Sequence, residues 1–424
     1  MMARTRAVLL LIAAALILPG QGDAVASPAP AGAGVVQTID GRFLEGSVVL
    51  ADGRVDVGGR AVLWADVACV VRESVTIGLG AAGGVHLAGE VWRGQVTGLS
   101  NKRVSLRSAF LGVQEVDLGD VTEIEFEGGP PDVAGPGIRA AAGAGVLYRE
   151  KGEPVPGTLM WIDQMQVAID SPLGALRLPR QGLVRYVCPV RERAVRADRD
   201  QLGLTDGTVM RGTVKPEADS VRVEHAVLGT RTFPASVVQY IRRGDPRARL
   251  LCDAAPTSFE EFGLFGKTSA TAPAVLAAGG ARQPMAALRL MAKTSVTYSI
   301  QPPAMPGAST AAGGKVRLAG RARPVDGAGG AARLRVMVGG QAVLDKELGA
   351  NGPTMPLALD LPEGDSLVIE VDYGSPLGFP CGVILEAPML VSPGATGGLS
   401  ASGGALPHWL QAASGTRRSC PDGV

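Results

Sequence analysis

At 424 residues, 19% of them charged and only 4% aromatic, the chain is long enough for several domains whose cores must be built mostly from Val, Leu, Ile and Ala. Basic and acidic residues nearly balance, 41 against 40, which leaves no electrostatic footprint for nucleic acid and no polybasic claim on a membrane surface. Five cysteines, Cys69, Cys188, Cys252, Cys381 and Cys420, lack the regular spacing of a disulfide framework, so buried thiols and a Cys252–Cys381 bridge both stay open.

Arg4 and Arg6 precede the apolar run from Val8 to Leu18, and Ala24-Val25-Ala26 offers a small-x-small cleavage site before Ser27. That is the pattern of a secretory signal peptide over residues 1–26, and the run is short for a bilayer span. Cleavage removes Arg4, Arg6 and Asp23 and leaves the charges balanced. The expectation is an exported protein, periplasmic or extracellular, with no integral membrane segment once the signal is gone. An uncleaved N-terminal anchor is the competing reading.

After a Pro/Ala/Gly leader, a pair of glycines five residues apart recurs four times: Gly41…Gly46, Gly89…Gly94, Gly152…Gly157 and Gly207…Gly212. Two positions past each second glycine stands an apolar residue, Val48, Val96, Leu159 or Val214. An alternating pair follows in each copy: Val55/Val57, Val104/Leu106, Val167/Ile169 and Val221/Val223. Each copy closes on an apolar stretch near Val70, Ile124, Val187 or Ile241. Period-two alternation with turn glycines predicts strands, and the fixed recurrence predicts a row of small β repeats at 35–74, 85–128, 146–190 and 202–245. A Gly/Pro linker over 128–137 separates the second copy from the third, and a charged segment, Arg191 to Asp200, the third from the fourth.

In the fourth copy, Leu204-x-Asp206-Gly207-x4-Gly212-x-Val214, then Leu228-Gly229, Pro234 and Val237-x3-Ile241 resemble the Sm-like small β-barrel pattern. The third copy resembles it through Gly157-Thr158-Leu159-x3-Asp163 and Leu178-Pro179. The resemblance implies small SH3/Sm-like barrels. Gln166 stands near the place of the family's RNA-binding Asn and no Arg-Gly follows Pro179, so the fold is carried over without the RNA ligand.

From 247 to 391 the glycine signature stops while alternating runs continue: Val296/Tyr298/Ile300, Leu334/Val336/Val338, Leu357/Leu359/Leu361, Leu367/Ile369/Val371/Tyr373 and Val383/Leu385. Six or more strands between Gly/Pro/Asp turns predict an antiparallel, jelly-roll-like β-sandwich. The fold class expected for the whole chain is all-β: four small SH3/Sm-like barrel repeats, then the sandwich. Residues 392–424, rich in Gly, Ser and Ala, read as a disordered tail.

The stretch Ala287 to Ile300, the strand Leu334-Arg335-Val336-Met337-Val338 with Gly339-Gly340, and the segment Leu367 to Gly374 resemble the NPCBM family of carbohydrate-binding modules found on exported bacterial proteins. Met291 and Leu385-Glu386 stand where that family usually carries a His and an acidic-Trp pair. The resemblance implies a sugar-binding sandwich, with Lys293, Tyr298, Asp372 and Tyr373 as ligand-contact residues.

No catalytic constellation emerges, and no cofactor or metal is expected. Gly78-Leu79-Gly80-Ala81-Ala82-Gly83 spells the dinucleotide fingerprint but leads into a strand pattern rather than the helix whose N-terminus would meet a pyrophosphate. Gly266-Lys267-Thr268 lacks the upstream glycine of a phosphate loop, since Glu261 stands there. His86, His225 and His408 have no carboxylate or cysteine at ligand spacing. The carboxylate groups Glu260/Glu261 and Asp120/Glu123/Glu125 show no catalytic pairing by adjacency alone. The function expected is non-catalytic binding of carbohydrate or another envelope polymer, with the repeats as spacer or interaction units. The alternative is a structural or assembly protein binding other envelope proteins through the repeats.

Overall fold

The computed structural model describes residues 32–72, 83–126, 144–189, 199–245, 247–263, 266–268, 270, 272–276, 286–300, 315–374 and 381–392. The signal-peptide pattern, the Gly/Pro linker, most of the charged segment, nearly all of the tail with His408 and Cys420, and all but Gly83 of the dinucleotide-like run lie outside the described residues. Among the described residues every element is a β-strand or a single 3-10 turn, and every strand pairing is antiparallel. Among them no helix is long and apolar enough to cross a membrane.

Three of the glycine repeats each form a unit of five strands, and the second forms one of six because its second strand is interrupted. In the first, these are Gly32–Thr38, Phe43–Ala51, Arg54–Val57, Arg60–Leu63 and Val67–Arg72. Hydrogen bonding runs fourth-third-second-first-fifth. The first strand begins inside the leader, because Gly34, with no Cβ, lets the carbonyl of Val71 close against it. The second strand is shared. Its first half pairs with the first strand and its second half with the third, the two ladders meeting at Val48, two residues past the second glycine of the signature. The same changeover falls at Gly157 and Gly212. At Gly94 it splits the strand into Glu90–Arg93 and Gln95–Ser100.

The two glycines of the signature do different work. Gly89 and Gly207 turn the chain with φ of +76° and +86°, a region that only glycine enters without cost. At Gly157 and Gly212 the constraint is space: a Cβ would stand 2.5 Å from the carbonyl oxygens of Asp170 and Glu224 on the third strand. A 3-10 turn (Trp64–Asp66, Leu118–Asp120, Ala235–Val237) leads into the closing strand of three units. In the third unit a turn closed by Leu183 N–H to the Arg180 carbonyl, 3.1 Å, takes its place. The barrels expected from the sequence are bent, open strand paths: among the described residues no ladder joins the last two strands of a unit.

Nor are the units a row. The closing strand of the first, Val67–Arg72, pairs with that of the fourth, Val238–Arg242, through Val70↔Ile241. The closing strand of the second, Val121–Glu125, pairs with that of the third, Leu183–Val187, through Ile124↔Tyr186. Single bridges at Ile162↔Leu99 and Val209↔Val91 tie the third and fourth units to the second. One hydrophobic core therefore runs through all four, with Val48, Val96, Leu159 and Val214 buried in it. An outer strand that would expose its backbone on an isolated unit is satisfied here by its counterpart in another.

The remaining strands make two facing sheets. One holds Ala248–Leu250, Ala274–Leu276, Ala287–Met291, Arg317–Pro324, Met355–Asp360 and the ten-residue Gly382–Val391. The other holds Ser258–Gly263, Gly266–Lys267, Thr294–Ser299, Ala332–Val338, Gln341–Leu348 and Ser366–Tyr373. Between them Leu288, Val296, Leu334, Val336, Leu367, Ile369 and Val383 fill the core. Gly266-Lys267-Thr268 belongs to a hairpin, with Gly263↔Gly266 paired and Lys267 Nζ 2.7 Å from Glu260 Oε1.

The first unit docks on the sandwich. Gln37 Nε2 donates to the carbonyl of Ala387 across 3.1 Å, where strand Gly382–Val391 bulges with φ of +43°. Ile39, Ala68, Ala319 and Met389 form a small apolar joint. The Arg321 guanidinium lies 4.1 Å from the Phe43 ring centre and 2.6 Å from Glu45 Oε1.

Candidate functional site

The chain crosses between the two sheets at Ala292–Lys293, and the strand Ser366–Tyr373 ends beside that crossing. Lys293 takes φ of +67°, which turns its side chain out of the pleat. Because Thr294 pairs with Val371 and with Glu261, the next residues along, Asp372 and Phe262, flank Lys293. Lys293 Nζ lies 2.9 Å from Asp372 Oδ1 and 5.7 Å from the centre of the Tyr373 ring, within cation–π reach. Phe262 N–H donates to the Lys293 carbonyl, 3.0 Å. Asp372 also accepts from the N–H of Tyr373 at 2.7 Å. The hydrogen bond from Lys293 holds the Asp372 carboxyl below its ordinary value.

Three of the four residues named from the sequence thus meet at one exposed place. Tyr373 is 40% exposed and Phe262, which the sequence reading passed over, 46%. An open aromatic face beside a cation and a carboxylate offers a hydrogen-bond donor, an acceptor and an apolar platform within one side-chain length. Tyr298 is elsewhere. It points inward from strand Thr294–Ser299 at 1% exposure, and its hydroxyl has no hydrogen-bond partner. Burial, with the Cys252 thiol nearby, raises that hydroxyl's pKa. Alternation along the strand puts Tyr298 on the core face, so it cannot share a surface ligand with Lys293.

Two polar clusters invisible to sequence spacing arise where strands meet. His86 Nε2 is 2.9 Å from Glu125 Oε1, and Glu123 completes a group whose ligand atoms lie within 4.8 Å of one another. Arg93 pairs with Glu125, and Arg185 Nη1 is 3.5 Å from Glu123. Burial would raise the Glu125 pKa, but the hydrogen bonds and charges of His86 and Arg93 outweigh it and hold the group at about 2. Two guanidiniums already neutralise these carboxylates, and the cluster fits an ion-pair network at the joint of the second and third units better than a cation site.

In the second cluster, His225 of the fourth unit sits 3.0 Å from Glu90 Oε2 of the second, with its side chain 4% exposed. Trp92 Nε1 donates to the same carboxylate at 2.9 Å. His225 Nδ1 accepts from the N–H groups of Val227 and Leu228, each at 3.0 Å, so the ring proton lies on Nε2 and faces Glu90. With both ring nitrogens committed, this imidazole has no lone pair for general-base work.

Cys69, Cys188, Cys252 and Cys381 are unbridged. Burial pushes the Cys69 and Cys252 thiols to about 12, which keeps them protonated and poor nucleophiles.

No protein-family model and no curated protein matches the chain. Among solved structures it is similar to the CBM51-2 and INT domains of ZmpB from Clostridium perfringens, determined with GlcNAc, at 11% identity and a TM-score of 0.25 over 45% of this chain and 38% of that one. A larger ZmpB structure, with the M60 catalytic domain and both CBM51 domains, is similar at 10% identity and a TM-score of 0.25 over 70% of this chain and 31% of that one. SGBP-B from a xyloglucan utilization locus of Bacteroides uniformis is similar at 12% identity and a TM-score of 0.23 over 86% and 100%. The chain therefore spans well under two thirds of either ZmpB structure. Likenesses at these scores carry no assignment to this chain.

Proposed function

We propose that the protein is an exported, non-catalytic carbohydrate-binding protein, and that the end of the sandwich at Lys293, Asp372 and Tyr373 is where sugar binds. The observation that carries this reading is the exposed Tyr373 ring set against the Lys293–Asp372 pair. A sugar's apolar C–H face stacks on the ring while its hydroxyls donate to Asp372 and accept from Lys293. Phe262, across Lys293, adds a second apolar wall. The first unit docks on the sandwich, and the secretory pattern of residues 1–26 supports a location where envelope polymers are found.

The test is a glycan array, followed by affinity measurement on the best-bound glycan, using the full chain. Tyr373→Ala is expected to weaken binding about tenfold or more, equivalent to about 1.4 kcal/mol, while Tyr298→Phe leaves it unchanged. No binding to any glycan, or equal binding by Tyr373→Ala, sinks the reading.

A second reading, assembly through the units, draws on Leu63 and Val113. Both are exposed on next-to-last strands of their units that pair on one side only among the described residues. Under it, sedimentation shows discrete oligomers that Val113→Lys disperses.

A further inference from the structure

Where the first unit meets the sandwich, the two leave a cleft of about 490 Å³, within the ~300–1,000 Å³ of small-molecule sites. It lies far from Tyr373. Gly382, at one end of strand Gly382–Val391, pairs with Met291 beside the Lys293 crossing, whereas Val391, at the other end, lines the cleft. Ten strand residues put roughly 30 Å between those ends.

The cleft is charged on both walls. The first unit contributes Asp40, Arg42 and Asp66, and the sandwich side contributes Arg247, Lys315, Arg317 and Asp360. Most of these charges are already matched within their own wall. Arg42 Nε is 2.7 Å from Asp40 Oδ2, Arg317 Nε is 2.7 Å from Asp360 Oδ1, and Arg247 Nη2 is 2.7 Å from Asp245 Oδ2. Two groups are left over. Among the described residues Lys315 and Asp66 form no ion pair, though Lys315 lies near enough to Asp360, and Asp66 to Arg247, to act on them at longer range.

An unpaired ammonium asks for an anion, and the unpaired carboxylate opposite it asks for hydrogen-bond donors. A bare inorganic anion satisfies the first and is repelled by the second. A ring carrying hydroxyls and one carboxylate satisfies both, and Ile39 and Val391 give its C–H face apolar contacts. We propose that this cleft is a second sugar site, selective for a hexuronate, whose carboxylate pairs with Lys315 and whose hydroxyls donate to Asp66. This goes beyond the Tyr373 site and does not depend on it. The sandwich would then engage acidic sugar at one end and a stacked sugar ring at the other.

Calorimetric titration of the full chain with digalacturonate and with its neutral counterpart, galactobiose, tests the proposal. Digalacturonate is expected to bind about tenfold or more tightly than galactobiose. Lys315→Glu, an exposed change expected to leave the melting temperature unaltered, should remove that preference. Asp66→Ala should weaken both disaccharides, and Tyr373→Ala should leave digalacturonate affinity intact. The proposal is overturned if digalacturonate does not bind, if the two disaccharides bind equally, or if Lys315→Glu binds digalacturonate like the wild type. Loss on Tyr373→Ala alone also overturns it, by placing the acidic sugar at the other end of the sandwich.

Discussion

Tyr298 and Glu125 show how far a single residue departs from what its letter suggests. Tyr298 reads as a ligand aromatic, yet alternation along Thr294–Ser299 buries it and leaves its hydroxyl unpaired. An unsatisfied buried hydroxyl is a cost that deletion removes. Tyr298→Phe is therefore expected to raise stability by about 1 kcal/mol in urea unfolding. Glu125 reads as an ordinary surface acid, but the structure holds it at about 2 against an ordinary 4.5. A depressed carboxyl contributes stability above its unfolded value and loses it as pH falls toward its folded value. Unfolding free energy measured from pH 5 down to pH 2 should thus fall less steeply in Glu125→Gln than in the wild type. The site residues divide along the same line. Lys293, Asp372 and Tyr373 were named on family resemblance, and their nearness depends on a cross-strand register between segments some eighty positions apart. Phe262 carries no signal of its own in the sequence, because Ser258–Gly263 is short and Glu-rich and its place beside Lys293 is set by the ladder to Thr294.

Strands were the most legible level. Val55/Val57, Val104/Leu106, Val167/Ile169 and Val221/Val223 alternate in the sequence, and all eight are buried, because a period of two puts successive side chains on opposite faces. Leu111 and Leu173 show where letters mislead: each precedes a glycine, yet Leu111 is buried whereas Leu173 sits 90% exposed on its turn. The glycine signature gains a mechanism that letters alone do not give. Its first member turns the chain, and its second lets two backbones touch where one strand passes between partners. Gly212→Ala should therefore destabilise by about 1–3 kcal/mol, since the added carbon meets the Glu224 carbonyl and the third strand must move aside. Gly229→Ala makes a useful comparison in the same denaturant titration. Nothing lies within 4 Å of its Cβ position, so its cost is confined to the strained φ of +67°.

At the scale of the molecule, four similar units suggested a linear array in which each touches its neighbours in sequence. The first instead pairs with the fourth and the second with the third, and the first also seats on the sandwich through Ile39, Ala68, Ala319 and Met389. Ile39→Asp places an unpaired carboxylate in that joint and should split thermal unfolding of the full chain into two transitions, the sandwich melting apart from the units. One unchanged transition would show that the joint does not couple them. The strands, most of their buried faces and the turns between them were written in residue order, because alternation and glycine placement act over neighbouring positions. Which edges meet was not, since ladders are built from backbone groups that every residue except proline shares. Only the folded chain decided that closing strands pair across units, that His86 meets Glu125 within the second unit while His225 meets Glu90 between the fourth and the second, and that a charged cleft opens where the first unit meets the sandwich.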